Sequence, residues 1–393
     1  MWPFYSKKEI LSVSKVLRSG KVNYWTGSEC RVFENEFAKF SDSKYAIALA
    51  NGTVALDLAL LTLGIRKGDE VIVTSRTFIA SVSSIINAGA KPIFCDVSHN
   101  SQNIDANKIE KHVTKKTKAI MCVHLAGWPC DMDEINKIAR KFNIYVIEDC
   151  AQAHGARYKG QSVGSLGDIG CWSFCQDKII STGGEGGMVT TNNKALWEKM
   201  WAYKDHGKSF KAVYKKKHPK GFKWLHESFG TNWRMIEIQA VLGRIQLTKM
   251  NAWTVKRNLY QNLIWDAASK LPALRVPSFR CQSCNGCNNA GCIHAAYKCY
   301  VFINKDKLQP KWNRDKIIEA INQRGVECFS GSCSEVYLEK AFSNTNYRPK
   351  HRLPVAQELG ETSIMFLIHP TKKKKDILKS CNVLTEVISL ATK

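Results

Sequence analysis

From about Lys44 to Thr191 the chain alternates short apolar runs with longer stretches of helical periodicity. The short runs are Tyr45-Ala-Ile-Ala-Leu-Ala50, Glu70-Val-Ile-Val-Thr74, Pro92-Ile-Phe-Cys-Asp96, Ala119-Ile-Met-Cys-Val123 and Ile144-Tyr-Val-Ile-Glu148, and they predict strands. Between them, residues 53–63, 79–88, 104–112 and 132–142 predict helices. This βαβ rhythm implies an α/β fold with a mostly parallel sheet covered on both faces. Ligands of such sheets bind at the carboxyl ends of the strands, so polar residues just after a strand carry the functional weight.

Beyond the rhythm, residues 168–191 read as two strands around the Gly-rich turn Thr182-Gly-Gly-Glu-Gly-Gly187, followed by a helix over 195–204. Residues 207–223 are basic and weakly patterned, which predicts a loop. A long helix over 236–253 leads out of the first domain. Residues 1–253 are thus expected to form a large domain and 254–393 a smaller α/β domain, with strands near 297–303 and 363–368. The N-terminal segment is a candidate to pack on the smaller domain.

The chain has 393 residues, 44% of them hydrophobic, enough for a full core. It lacks the run of about 20 apolar residues that a membrane helix needs. Its start shows no secretory pattern, so the expected location is the cytoplasm. Fifteen cysteines are then expected to be mostly reduced thiols. Lys plus Arg outnumber Asp plus Glu by 58 to 34, a net charge of +24 that attracts anions. Apart from Lys215 to Lys217 and Lys372 to Lys375 the basic residues are scattered, and no groove-reading or stacking motif accompanies them. That argues against nucleic acid as the partner and favours a solvated basic surface, with a diphosphate-bearing small molecule as the other candidate.

Three segments carry candidate chemistry. Asn51-Gly52-Thr53 joins a strand to an apolar helix, where glycine, a hydroxyl and free amides can cradle phosphate; an ordinary turn with Thr53 as helix cap fits equally well. Glu148-Asp149-Cys-Ala-Gln152 puts a carboxylate at a strand's end, suited to a ligand or to capping a helix. Ser173-Phe-Cys-Gln-Asp-Lys178 precedes the Gly-rich turn. Apolar and small neighbours there favour a partly buried, nucleophilic amine over a surface lysine.

The ordered set Asn51-Gly-Thr, Thr77-Phe78-Ile-Ala80, Glu148-Asp-Cys-Ala-Gln152, Ser173-Phe with Lys178, Gly184-Glu-Gly-Gly187 and Gly230-Thr-Asn-Trp-Arg-Met235 resembles the DegT/DnrJ/EryC1/StrS sugar aminotransferases. Trp25-Thr-Gly27, Phe33-Glu34, Phe37-Ala38 and Gly68-Asp-Glu-Val-Ile72 fit as well, so residues 20–250 carry the resemblance densely. It implies a fold-type I enzyme that uses pyridoxal phosphate (PLP) and its amino form. Lys178 matches the Schiff-base lysine and Asp149 the partner of the pyridine nitrogen. Gln152 matches the neighbour of the phenolic oxygen, and Phe78 the aromatic that stacks on the ring. Gly52, Thr53 and Ser173 match phosphate ligands. Asn232 matches an asparagine that reaches the phosphate from the other subunit, which implies a homodimer with shared active sites. Cys175-Gln176-Asp177 departs from the small or aromatic residues usual before the lysine. The implied reaction moves an amino group from L-glutamate to a nucleotide-diphosphate keto sugar, for surface-glycan synthesis. Segments around Tyr297, Glu335 and 359–370 resemble members that aminate C4 of UDP-2-acetamido-4-keto-2,6-dideoxyhexoses, with dTDP- or GDP-linked sugars and C3 amination as alternatives. A dehydratase branch carries histidine in place of the lysine, and a non-catalytic regulator would not need Lys178, Asp149 and Asn232 together.

Cys281, Cys284, Cys287 and Cys292 stand apart from this set. Four thiols in twelve positions are candidate Zn²⁺ ligands. A surface loop with free or oxidised thiols is the alternative.

Overall fold

The computed structural model describes residues 2–278 and 291–392. The expected strands form β1 (Tyr45–Leu49), β2 (Glu70–Thr74), β3 (Lys91–Cys95), β4 (Thr117–Val123) and β5 (Tyr145–Asp149), while β6 (Ile169–Ser173) and β7 (Gly187–Thr191) flank the Gly-rich turn. They make one seven-stranded sheet in the order β1-β7-β6-β5-β4-β2-β3. Its pairs are parallel from β6 through to β3. Only β7 runs antiparallel to its neighbours, β1 and β6.

The longer helices before the second sheet are α1 (Lys7–Arg18), α2 (Glu29–Phe40), α3 (Gly52–Thr62), α4 (Ala80–Asn87), α5 (Met132–Phe142), α6 (Lys194–Tyr203), α7 (Glu237–Leu247) and α8 (Met250–Ala268). Strand side chains alternate between two covered faces. Val71, Met121 and Ile147 pack with Leu56, Leu58 and Leu60 of α3 and with Val82 of α4. Ile72, Ile120 and Val146 pack with Met132, Ile135 and Ile138 of α5. Burial on both faces explains why the central strands read as continuous apolar runs. Each buried leucine of α3 contributes about 2 kcal/mol through area removed from water. The α5 helix ends at Asn143, which takes a left-handed turn at φ 52°.

Tertiary structure revised several expected elements. The helix expected over 236–253 breaks between α7 and α8, where the Thr248 hydroxyl donates to the Ile245 carbonyl at 2.7 Å and competes with the helical ladder. The helix expected over 104–112 starts late, because Asp105 caps the Asn107 amide, and only Ala106–Ile109 is α-helical. The basic segment expected as loop holds a short helix, Phe210–Tyr214, whose Phe210 ring packs on Trp197 and Trp201. No element was expected before Lys44, yet α1 and α2 pack there on α7.

The second sheet, β8 (Leu274–Arg275), β9 (Lys298–Ile303), β10 (Cys328–Phe329) and β11 (Ser363–Leu367), is antiparallel in the order β8-β9-β11-β10. It packs with α8, α9 (Arg314–Gln323) and α10 (Lys374–Ala391) around Ile264, Val301, Ile317, Ile364 and Leu384. Residue 253 falls inside α8, so the expected domain boundary crosses a continuous helix. Near the N-terminus Trp2 packs on Trp253 and His369 and donates its indole N–H to the Lys178 carbonyl at 2.9 Å. Among the described residues no helix is long and apolar enough to cross a membrane.

The α2–α7 contact depends on Gly243, where a Cβ would meet the buried Phe33 ring at 2.4 Å. Gly243→Ala should therefore lower stability by about 1–3 kcal/mol despite its better helix propensity, read as an earlier midpoint in denaturant unfolding.

Candidate active site

The carboxyl ends of β1, β2, β5 and β6 open at one edge of the large sheet, and the antiparallel β7 brings its amino end there. A cavity of about 790 Å³ lies at this edge, walled opposite by Tyr297, Lys298 and the segment Gly331–Cys333. Gly52, Thr53, Phe78, Asp149, Gln152, Ser173 and Lys178 all line it. Asn232 does not; it is exposed outside its own chain's cavity, with its backbone bridged to Asp205.

One wall is the first turn of α3. Asn51 accepts the Val54 amide at 3.0 Å, which settles the helix cap on Asn51 and not on Thr53. The earlier amides of such a turn have no intrahelical acceptor and point outward with the positive end of the helix dipole. Gly52 sits so tightly against Ser173 that a Cβ would come within 2.6 Å of the serine Cβ. Gly187 is equally constrained, since its Cβ would meet the Asn51 carbonyl oxygen at 2.2 Å. The two glycines let β1, β6 and β7 bring Thr53 and Ser173 onto one concave surface, which suits an anion.

The floor is Asp149, which is buried. Its carboxylate accepts the Ser81 hydroxyl at 2.8 Å and the Ala151 amide at 3.1 Å. Burial outweighs these donors and the positive charge of Lys178, holding the Asp149 carboxyl above the usual carboxylate range. A cation placed against it would reverse that shift. Behind it Glu148 points into the protein and accepts the amides of Gly164, Leu166 and Gly167 and the His124 Nε2–H. The His124 Nδ1 accepts the Cys130 amide at 3.0 Å, which assigns the proton to Nε2. Gln152 is oriented by the Ala126 amide, which its Oε1 accepts at 2.8 Å.

Lys178 lies in the loop between β6 and β7, pinned by backbone bonds from its amide to Cys175 and from Gln176 to Gly184. Its Nζ lies 3.2 Å from Asp177 and 5.4 Å from the centre of the Tyr297 ring. Phe78 is 68% exposed at the cavity's side, a large ring with one face free to meet a flat ligand.

Some site residues carried no motif. Ser81 lies one helical turn beyond Thr77, and their hydroxyls meet at 2.8 Å; that four-residue spacing was the available signal. Asp177 stood beside the candidate lysine, but its bond to the Tyr297 hydroxyl spans 120 residues and no local pattern announces it. Of the cysteine cluster, Cys281, Cys284 and Cys287 lie outside the described residues. Cys292 lies away from the cavity, its sulfur accepting the Lys159 amide at 3.2 Å.

Comparison with known proteins bears on this site. Residues 4–385 match the model of the DegT/DnrJ/EryC1/StrS aminotransferase family. The chain is 48% identical over 221 residues to the GDP-perosamine synthase of Escherichia coli O157:H7, an alignment covering 56% of this chain and 58% of that one. It resembles the crystal structure of an aminotransferase from Psychrobacter cryohalolentis with a TM-score of 0.96 and 59% identity, over 100% of this chain and 99% of that one. It also resembles S. venezuelae DesV, solved in complex with a ketimine intermediate, with a TM-score of 0.85 and 28% identity over 97% and 94% of the two chains.

Gly52→Ala tests the cradle. The added methyl has to push α3 away from Ser173, so affinity for a phosphate-bearing cofactor should fall by roughly tenfold or more, a loss of about 1.4 kcal/mol, while the fold persists. Fluorescence titration of the variant with PLP, beside its circular dichroism spectrum, checks both halves.

Proposed function

The chain belongs to the DegT/DnrJ/EryC1/StrS aminotransferase family, with PLP as its cofactor, and from that premise we propose that it moves an amino group from glutamate to the keto carbon of a nucleotide-linked deoxysugar. The observation that carries this reading is the convergence of Lys178, Asp149 and the Gly52–Thr53–Ser173 cradle on one cavity. The residues fit the cofactor: the cradle suits its phosphate, and Asp149 is a buried carboxylate with no cation in hydrogen-bond contact among the described residues.

In this reading Lys178 carries the cofactor, while Thr53, Ser173 and the first amides of α3 hold its phosphate. Phe78 covers one face of the ring, and Gln152, with its Oε1 already engaged, offers its amino group to the phenolic oxygen. When bound, PLP supplies an electron sink for charge developing beside the transferred nitrogen. Asp149, oriented by Ser81 and Ala151, keeps the proton on the pyridine nitrogen. Lys178 Nζ would be the group that holds and moves a proton at the reacting end of the cavity, general acid–base work that contributes about 10²–10⁴-fold to rate. The exposed Asn232 is proposed to reach the partner subunit's cavity in a homodimer. The proposed location is the cytoplasm, supported by eleven free thiols other than Cys292 among the described residues.

For the acceptor we propose C4 of a UDP-2-acetamido-4-keto-2,6-dideoxyhexose. Support comes from the Tyr297–Lys298 and Gly331–Cys333 wall of the cavity, which lies in the segments that resemble enzymes of that specificity. The net charge of +24 suits any diphosphate. Similarity to a GDP-perosamine synthase favours a GDP-linked 4-keto sugar as the second reading.

Purified protein with PLP should show a visible absorbance band that glutamate bleaches. Lys178→Ala should lose the wild-type band and lower amino transfer at least about a hundredfold. The bleached enzyme should recover its band with the UDP-linked 4-keto sugar faster than with the GDP- or dTDP-linked one. A band that no nucleotide sugar restores would exclude the proposed acceptor class, and recovery with the GDP sugar alone would transfer the assignment to the second reading.

A further inference from the structure

Beside the Lys178 amine stands a second carboxylate that the mechanism above leaves unused. Asp177 Oδ1 lies 3.2 Å from Lys178 Nζ. The other carboxylate oxygen, Oδ2, accepts the Tyr297 hydroxyl and faces Lys298 Nζ at 4.0 Å. Both ammonium groups lie by the Tyr297 ring, 5.4 Å from its centre for Lys178 and 4.8 Å for Lys298. All four residues line the cavity. Burial alone would push the Asp177 carboxyl up, but Lys178, the Tyr297 hydroxyl and Lys298 outweigh it and hold the group below the usual carboxylate range.

We propose that Asp177 is a positioning residue that keeps a proton, and with it positive charge, on the Lys178 nitrogen, its carboxylate tethered by Tyr297 and balanced by Lys298. The inference rests on Lys178 being the lysine that carries the cofactor, and it deepens that reading. An opposite charge within about 4 Å favours the protonated form of an amine. A lysine on a flexible four-carbon stem also loses freedom when a carboxylate confines it, which keeps the amine at the cavity when it is released. Beside Lys178, the Tyr297 hydroxyl and Lys298 also favour the ionised form of Asp177 and fix its position.

Other charged or titratable groups face this pair. Asp149 at the end of β5 acts on Lys178 in the same direction as Asp177. Lys298 faces Asp177 from the head of β9, and Arg257 of α8 acts on Tyr297. Glu185 lines the cavity from the Gly-rich turn. His154 is buried nearby and stays neutral, its pKa pulled down to about 3 by burial.

The test is a pH titration of the visible absorbance of the PLP-loaded protein, wild type against Asp177→Asn and Asp177→Glu, with bound PLP quantified in each. The band reports the proton on the Lys178 nitrogen. In Asp177→Asn the midpoint should move to lower pH by about one unit, with PLP content unchanged; Asp177→Glu should titrate near wild type. An unchanged midpoint in loaded Asp177→Asn overturns the role of Asp177 and leaves the cofactor reading intact. Equal shifts in both variants overturn it too, because they report lost packing and not lost charge. Absence of a band in the wild type overturns the cofactor reading and this inference with it.

Discussion

Burial removes the Asp149 carboxylate from water at the end of β5, and the protein returns two neutral donors, the Ser81 hydroxyl and the Ala151 amide. Hydrogen bonds stabilise the charged form, but the cost of burying the ion outweighs them here. The carboxyl therefore sits above its ordinary range until a cation arrives. The surroundings hold it in that state. Ser81 is fixed by its bond to Thr77. The Asp149 carbonyl accepts the His124 amide, and His124 is itself pinned between Glu148 and Cys130. Glu148 and Asp149 are adjacent and both buried, yet they differ in kind. The first is saturated by backbone amides and the His124 ring; the second faces a cavity.

The topology of the large sheet makes that cavity possible. Parallel strands deliver their carboxyl ends to one edge, and β7 returns antiparallel between β1 and β6. The loop from β6 to β7 can then carry Lys178 over the same edge at which Asp149 ends. The hairpin has to pass under the start of α3, and a side chain at position 52 or 187 would prevent it. Two glycines thus do structural work that makes the anion cradle available.

The remaining wall comes from residues distant in sequence. Tyr297 and Lys298 stand at the head of β9 and reach Asp177, one residue from Lys178. Trp2 holds the Lys178 carbonyl from below while packing on Trp253 of α8 and on His369. The lysine's backbone is thereby tied to the N-terminal segment and its side chain to the second sheet.

Much of this could be read along the chain, for a physical reason. Strands buried on both faces must be apolar throughout, so β2, β4 and β5 declared themselves, and the residues just past them were the ones to inspect. Lys178, Asp149 and the Asn51-Gly-Thr turn each follow a strand closely, so local order was enough to nominate them. What only the tertiary structure decided involves partners far apart in sequence or competing local bonds. Thr248 interrupts a helix whose apolar spacing runs on, and α1 and α2 owe their burial to α7. Whether Asp149 was a helix cap or a buried anion depended on what surrounds it, and periodicity carries no information about desolvation. The clasp of Tyr297 and Lys298 on Asp177 likewise exists only because two sheets meet at one cavity.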